Sequence, residues 1–153
     1  MKYQANFENA IANRGNLYRL RQMMERAMTG EKLSIGFIGG SITMGCMATQ
    51  PEKAYSWLIF EWWKKTFSDS EFSYINAGIG ATTSQFAVAR ADSDLLSYKP
   101  DLIFVEFSVN DESNDFFLET FESLIRKLYT FDKKPVIIII NSVRYQDGGN
   151  AQV

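Results

Sequence analysis

The sequence predicts an α/β fold, a three-layer α/β/α sandwich around a parallel sheet. Four short apolar runs alternate with amphipathic stretches along the 153 residues. Most of these runs lack the polar and apolar alternation of a half-exposed strand, which is typical of strands covered on both faces. The first three runs each end in a polar or glycine-rich turn, as strands do at the ligand-binding edge of an open parallel sheet.

Each predicted element follows from a local pattern in the chain. The apolar runs that predict strands are residues 33–38, 72–77, 101–107 and 136–140. Apolar residues at helical spacing predict helices near residues 17–28, 55–66, 85–96 and 117–128. Asn16 is a candidate cap for the first of these helices, and Gly30 is its stop signal. Thr83 or Ser84 is placed to cap the third.

Composition and charge indicate which kinds of partner and which location to expect. Net charge is −2 without a run of like charges, which predicts no nucleic-acid partner. No apolar run approaches the roughly 20 residues that span a bilayer, and the N-terminus lacks an apolar signal core, so we expect no membrane partner and a cytoplasmic location. Residues 1–15 are polar and irregular, which predicts an N-terminal arm before a single domain over residues 16–153.

The chain contains no histidine and one cysteine. A Ser-His-Asp triad therefore cannot be completed within these residues, although histidine is the usual general base near neutral pH. Histidine-bearing zinc sites are excluded in the same way, and Cys46 has no partner for an internal disulfide. No cofactor and no metal are implied.

The fourth apolar run, Val-Ile-Ile-Ile-Ile, reads as an interior strand, yet only a glycine-rich tail follows it. A bare apolar edge strand is an aggregation hazard. We therefore expect that the domain is incomplete at its C-terminus and that the fourth strand is protected by a missing segment or by self-association.

Polar turns follow the first three strands and should share the carboxyl edge of the sheet. They read GGSIT, NAGIGATTS and SVND, and they would bring together Ser41, Gly80 or Ala81, and Asn110. A serine oxygen that attacks a carbonyl needs donors about 3 Å from the developing oxyanion, and backbone N–H groups and the Asn110 amide can supply them. A phosphate cradle and a plain strand-to-helix corner with Ser41 as a cap remain alternative interpretations of the first turn.

These three blocks resemble those of the SGNH, or GDSL-type, hydrolase family. FIGGSIT places Ser41 at the family's nucleophile position, NAGIGATTS places its glycine N–H on Gly80 or Ala81, and VEFSVND places Asn110 at the side-chain donor position. The resemblance implies a flavodoxin-like sheet of order 2-1-3-4 with a fifth strand missing. It also implies a serine ester hydrolase acting on a small-molecule ester, an acyl or acetyl group on a carbohydrate.

The chain departs from the family pattern at its end. The block Asp-x-x-His, which supplies the base and its orienting carboxylate, is absent, so we expect this chain to be inactive as it stands. A flavodoxin-like nucleotide- or flavin-binding module, or a catalytically dead family member that kept the pocket, are the alternative functions.

Three other residues have structural interpretations. Asp111 is expected to anchor its loop through backbone hydrogen bonds. Glu106 is expected to pair with an arginine such as Arg90, and Cys46 to be a small buried residue.

Overall fold

The computed structural model describes residues 8–142, which form an α/β/α sandwich around four parallel strands. The strand order is β2-β1-β3-β4, as the resemblance implied. The strands are β1 (Leu33–Gly39), β2 (Phe72–Gly78), β3 (Leu102–Glu106) and β4 (Val136–Ile139). The helices are α1 (Tyr18–Met28), α2 (Ser41–Met44), α3 (Tyr55–Thr66), α4 (Ser84–Asp94) and α5 (Asp115–Thr130).

Two hydrophobic cores cover the two faces of the sheet. On the first face α1 and α3 contribute residues such as Ala27 and Phe60, which pack against Phe37 of β1. On the second face α4 and α5 contribute residues such as Ala87 and Leu124, which pack against Val105 of β3. Because successive strand residues point to opposite faces, each strand serves both cores, which is why the runs lack a polar face.

The predicted elements are all present, with two local differences. A single-turn helix that was not predicted, α2, begins at Ser41, and the third predicted helix ends at Asp94 and is followed by a 3-10 turn, Leu96–Tyr98. The side chain of Asn16 does accept a hydrogen bond from the Tyr18 N–H at 2.9 Å, and Gly30 takes the left-handed conformation that ends α1. Of the predicted N-terminal arm, residues 1–7 lie outside the described residues. Residues 8–15 contain no helix or strand.

The fourth strand lies at one edge of the sheet. Within residues 8–142, β4 pairs with β3 on one side and with no strand on the other. Ile139 is about half exposed. Protection of this edge by a further segment or by self-association remains a prediction.

The amino edge of the sheet is held by a buried carboxylate, Asp101. Its side chain is 2% exposed and accepts hydrogen bonds from Arg26 at 3.0 Å, Lys133 at 2.9 Å and the backbone N–H of Ser34 at 2.8 Å. Burial by itself would raise the pKa of this carboxyl, but the hydrogen bonds from Lys133, Ser34 and Arg26 together lower it. Asp101 therefore joins α1, β1 and the segment before β4 at the start of β3.

We expect Asp101→Asn to lower the free energy of unfolding by about 2 kcal/mol. This is less than the 3–5 kcal/mol for breaking a fully buried pair, because Arg26 and Lys133 are partly exposed and can be hydrated. Urea denaturation measures the loss. Asp92→Asn is the matched control, since the Asp92 carboxylate is largely exposed where it pairs with Lys127, and the pair should contribute well under 1 kcal/mol.

The difference between the wild type and Asp101→Asn should also depend on pH. A carboxyl whose pKa is lower in the folded than in the unfolded state adds stability above its unfolded pKa, here near 3.8. That contribution disappears as the pH falls through the folded pKa. An equal difference at neutral pH and in strong acid would show that the charge of Asp101 is not what stabilises the edge.

Candidate active site

Three turns meet at the carboxyl edge of the sheet, one after each of the first three strands. They are the first turn (residues 40–45, which contains α2), the second turn (residues 79–83) and the third turn (residues 107–114). The strand ends are in register, with Gly39 paired to Gly78 on one side and to Glu106 on the other. The register therefore brings the three turns to the same level.

The backbone of α2 rests directly on the end of β2. A side chain at Gly78 would collide with the backbone N of Met44 and would lie 2.7 Å from the carbonyl carbon of Thr43. Only glycine permits this approach. The close contact fixes the helix that begins with Ser41 against the strand that leads into the second turn.

Ser41 is the first residue of α2 and is half-buried. Gly40 occupies the cap position, and no side chain caps this helix. The Ser41 hydroxyl makes no hydrogen bond with any residue in 8–142, so the interpretation of Ser41 as a helix cap does not hold. Its oxygen is therefore uncommitted within the described chain, where no proton acceptor is bonded to it.

Asn110 lies against the first turn. A side chain at Gly40 would collide with Oδ1 of Asn110, and Cγ of Asn110 would be 2.9 Å from it. Oδ1 is buried and accepts no hydrogen bond within residues 8–142, and no bond from Nδ2 is found there either. The amide thus lies against Gly40, the residue before Ser41, with its donor group uncommitted within residues 8–142. The cap of α5 is Asn114, which accepts from the Phe117 N–H at 3.1 Å.

The second turn, which contains Gly80 and Ala81, approaches α2. A Cβ at Gly80 would be 3.9 Å from Cβ of Ser41 and 3.4 Å from Cε of Met44. Ala81 has a φ of +57°, the left-handed conformation that favours glycine. Ala81 thus has the backbone conformation that glycine favours, and Gly80 is the residue in contact range of Ser41.

Two polar side chains, Asn76 and Asp111, join the turns. Asn76 donates to the Thr43 carbonyl at 2.9 Å and accepts from the Gly78 N–H at 2.8 Å. Asp111 accepts from the Ser84 N–H at 2.9 Å, so the first turn of α4 is capped from the third turn. The prediction that the side chain of Thr83 or Ser84 caps this helix was wrong. The expected anchoring role of Asp111 agrees with this bond. Sequence reasoning missed Asn76, although an asparagine two residues before a glycine at a strand end is a turn signal.

Beneath α2, the hydroxyls of Thr43 and Tyr55 are 2.8 Å apart. Burial raises the pKa of Tyr55 to about 12, and the hydrogen bond with Thr43 reduces this rise. The phenol therefore keeps its proton at neutral pH and holds the buried side of α2 by a neutral hydrogen bond. Neither residue was singled out from the sequence.

Glu106 does not pair with Arg90, and that prediction was wrong. Glu106 accepts from the Ser108 hydroxyl at 3.0 Å, whereas Arg90 pairs with Asp94 at 3.2 Å. Glu106 is two residues beyond Phe104 and so shares the first face of the sheet, while α4 places Arg90 on the second. Burial raises the pKa of Glu106, and the nearby donors, Ser108 first among them, reduce the rise without cancelling it.

Two further observations concern what the described chain contains. Cys46 is exposed, contrary to the prediction that it is buried, because the loop after α2 carries it into solvent. Across residues 8–142 no cluster of three histidine, cysteine or acidic side chains could hold a metal ion. In the same range, no helix combines the length and the apolar character needed to cross a membrane.

Residues 37–152 match the model of the GDSL-like lipase/acylhydrolase family. Among solved structures, a two-domain esterase active on acetylated mannans is 56% identical, with a TM-score of 0.95 over 98% of this chain. The chain spans 41% of the length of that esterase. No curated protein matches the sequence.

More distant structures share the fold. Axe2, an acetylxylan esterase from Geobacillus stearothermophilus, is 24% identical, with a TM-score of 0.55 over 72% of this chain and 59% of its own. BT4096, a gut microbial diltiazem-metabolizing enzyme, is 21% identical, with a TM-score of 0.59 over 76% of this chain and 28% of its own.

The left-handed conformation of Ala81 leads to a stability prediction. Ala81→Gly should raise the free energy of unfolding by about 0.5–1 kcal/mol, because the strain of an alanine in this region exceeds the entropy that glycine adds to the unfolded chain. Thermal unfolding followed by calorimetry measures the change.

Ala89→Gly is the control, since Ala89 is exposed within α4. There glycine should cost about 1 kcal/mol. If Ala81→Gly and Ala89→Gly both lower the free energy of unfolding, the left-handed conformation does not strain Ala81.

Proposed function

Because this chain belongs to the GDSL-like lipase/acylhydrolase family, we propose that it is the part of a serine ester hydrolase that carries the nucleophile, Ser41. The observation that carries the proposal is the meeting of an unbonded Ser41 hydroxyl, the Gly80–Ala81 turn and the Asn110 amide at one edge of the sheet. The high identity to an esterase over nearly the whole chain supports the same reaction class.

In the proposed reaction, Oγ of Ser41 attacks the ester carbonyl carbon and loses its proton to a base. The carbonyl oxygen becomes an oxyanion that accepts hydrogen bonds from the Ser41 N–H, the Gly80 or Ala81 N–H, and Nδ2 of Asn110. Collapse breaks the bond to the alcohol, which leaves with the proton that the base returns. Water then attacks the acyl-serine by the same steps and releases the acid.

We propose that the base comes from outside these 153 residues. The chain has no histidine, and a serine hydroxyl without an adjacent base is a weak nucleophile at neutral pH. Of the acidic residues near the third turn, Asp111 accepts from the Ser84 N–H at the start of α4, and Glu106 is fully buried, with Oε1 bonded to Ser108. We propose a histidine, held by an aspartate, on polypeptide that is not part of this chain.

For the substrate we propose an acetyl ester on a carbohydrate of the mannan type. The support is the 56% identical esterase, which is described as active on acetylated mannans. Carbohydrate recognition by the rest of the protein is part of this proposal.

The test compares this chain with a hybrid in which it is joined to the part of the acetylmannan esterase that it does not match. The 153-residue chain should hydrolyse p-nitrophenyl acetate at most at the residual rate of about 10³–10⁴ over water that triad knockouts retain. The hybrid should turn the ester over, and Ser41→Ala in the hybrid should abolish turnover.

The proposed substrate is tested in the same preparations by comparing the rates of acetate release from acetylated mannan and from acetylated xylan. Full activity of the 153-residue chain would show that the base lies within it. Equal activity of the hybrid and its Ser41→Ala variant would show that Ser41 is not the nucleophile.

A further inference from the structure

We propose that Asn76 and Asp111 are positioning residues that hold the three turns of the site at fixed distances from one another. Neither side chain is bonded to the Ser41 hydroxyl or to the Asn110 amide within the described residues. Asn76 instead bonds the first turn to the residue just before the second turn, and Asp111 bonds the third turn to the residue just after the second turn. The inference rests on the proposed function, since it assigns these residues a role in the rate of that reaction.

Asn76 joins the first turn to the end of β2, which leads directly into the second turn. Its Nδ2 donates to the Thr43 carbonyl in α2, and its Oδ1 accepts from the N–H of Gly78, the last residue of β2. The amide thus spans the helix that carries Ser41 and the backbone that leads to Gly80. A third hydrogen bond, to the Tyr74 hydroxyl at 2.9 Å, and a longer one, to the Ser56 hydroxyl at 3.5 Å, involve neither turn.

Asp111 joins the second turn to the third. It directly follows Asn110, and its Oδ1 accepts from the Ser84 N–H, which directly follows the second turn. The backbone N–H groups of Asn110 and Asp111 both donate to the Phe107 carbonyl at 2.9 Å, so the third turn is tight where it carries the amide. A carboxylate at the N-terminus of α4 also interacts favourably with that helix.

The two bridges together connect all the groups that the reaction would use. Ser41, Gly80 or Ala81, and Asn110 lie on separate turns, and turns vary in position more easily than the strands they follow. Misplacement of a reacting group by about 1 Å can cost about 100-fold in rate. Side chains that fix the spacing therefore affect kcat without touching the substrate.

The test uses the active hybrid with Asn76→Ala or Asp111→Ala. We expect each substitution to lower kcat by about 10- to 100-fold and to change KM by less than about 3-fold, because transition-state geometry is affected more than binding. Asp111→Asn should restore kcat to within about 3-fold of the parent, since its amide oxygen can still accept from the Ser84 N–H.

Two matched controls each remove a hydroxyl from the same neighbourhood and leave the bridges intact. Tyr74→Phe removes the third hydrogen bond of Asn76, and Thr120→Val removes the bond between the hydroxyls of Thr120 and Ser84. Both should keep kcat within about 3-fold of the parent if the spacing of the turns is what matters.

A readout that needs no turnover separates this inference from the proposed function. Amide hydrogen exchange at Gly78 should accelerate at least about 10-fold in Asn76→Ala, and exchange at Ser84 should do so in Asp111→Ala. A hybrid that hydrolyses no ester would contradict the proposed function, and exchange would still decide whether the bridges exist. Unchanged exchange, unchanged kcat in both alanine variants, or equal losses of kcat in the two controls would overturn the positioning role.

Discussion

Close approach of α2 to the ends of β1 and β2 is the constraint on which the site depends. Side chains at Gly39 and Gly78 would collide with Thr43 and Met44, so the chain can turn there only with glycine. Once α2 rests on these strand ends, Cβ of Ser41 lies within contact range of Gly80. The position of the candidate nucleophile is therefore set by the close contact of α2 with the two strand ends, which at Gly78 is backbone against backbone.

The two edges of the sheet differ in whether their polar side chains have hydrogen-bond partners. At the amino edge, Asp101 has cationic partners and a backbone donor, which is how a buried charge is normally accommodated. At the carboxyl edge, the buried Oδ1 of Asn110 has no partner among residues 8–142, and neither has the half-buried Ser41 hydroxyl. Because buried polar groups are nearly always satisfied, the unpaired Asn110 amide beside the first turn supports this edge as the candidate site.

Much of this arrangement could be predicted from the sequence. Apolar runs without alternation predicted the parallel sheet. Because parallel strands place their following turns at one edge, the sequence also predicted that Ser41 and Asn110 lie at the same edge. The partner of Glu106 could not be predicted, because the face that a strand-end residue occupies depends on register. The role of Asn76 was missed for a related reason. Its bond to Thr43 joins residues 33 positions apart, and no local pattern encodes such a contact.

The most direct measurement is a crystal structure of the active hybrid after reaction with p-nitrophenyl methylphosphonate, whose phosphorus mimics the tetrahedral carbon. The predicted result is a covalent bond from phosphorus to Oγ of Ser41. Its phosphonyl oxygen should lie about 3 Å from the Ser41 N, the Gly80 or Ala81 N, and Nδ2 of Asn110. An adduct on another residue, or a phosphonyl oxygen out of reach of Asn110, would contradict the convergence of the three turns on one reacting group.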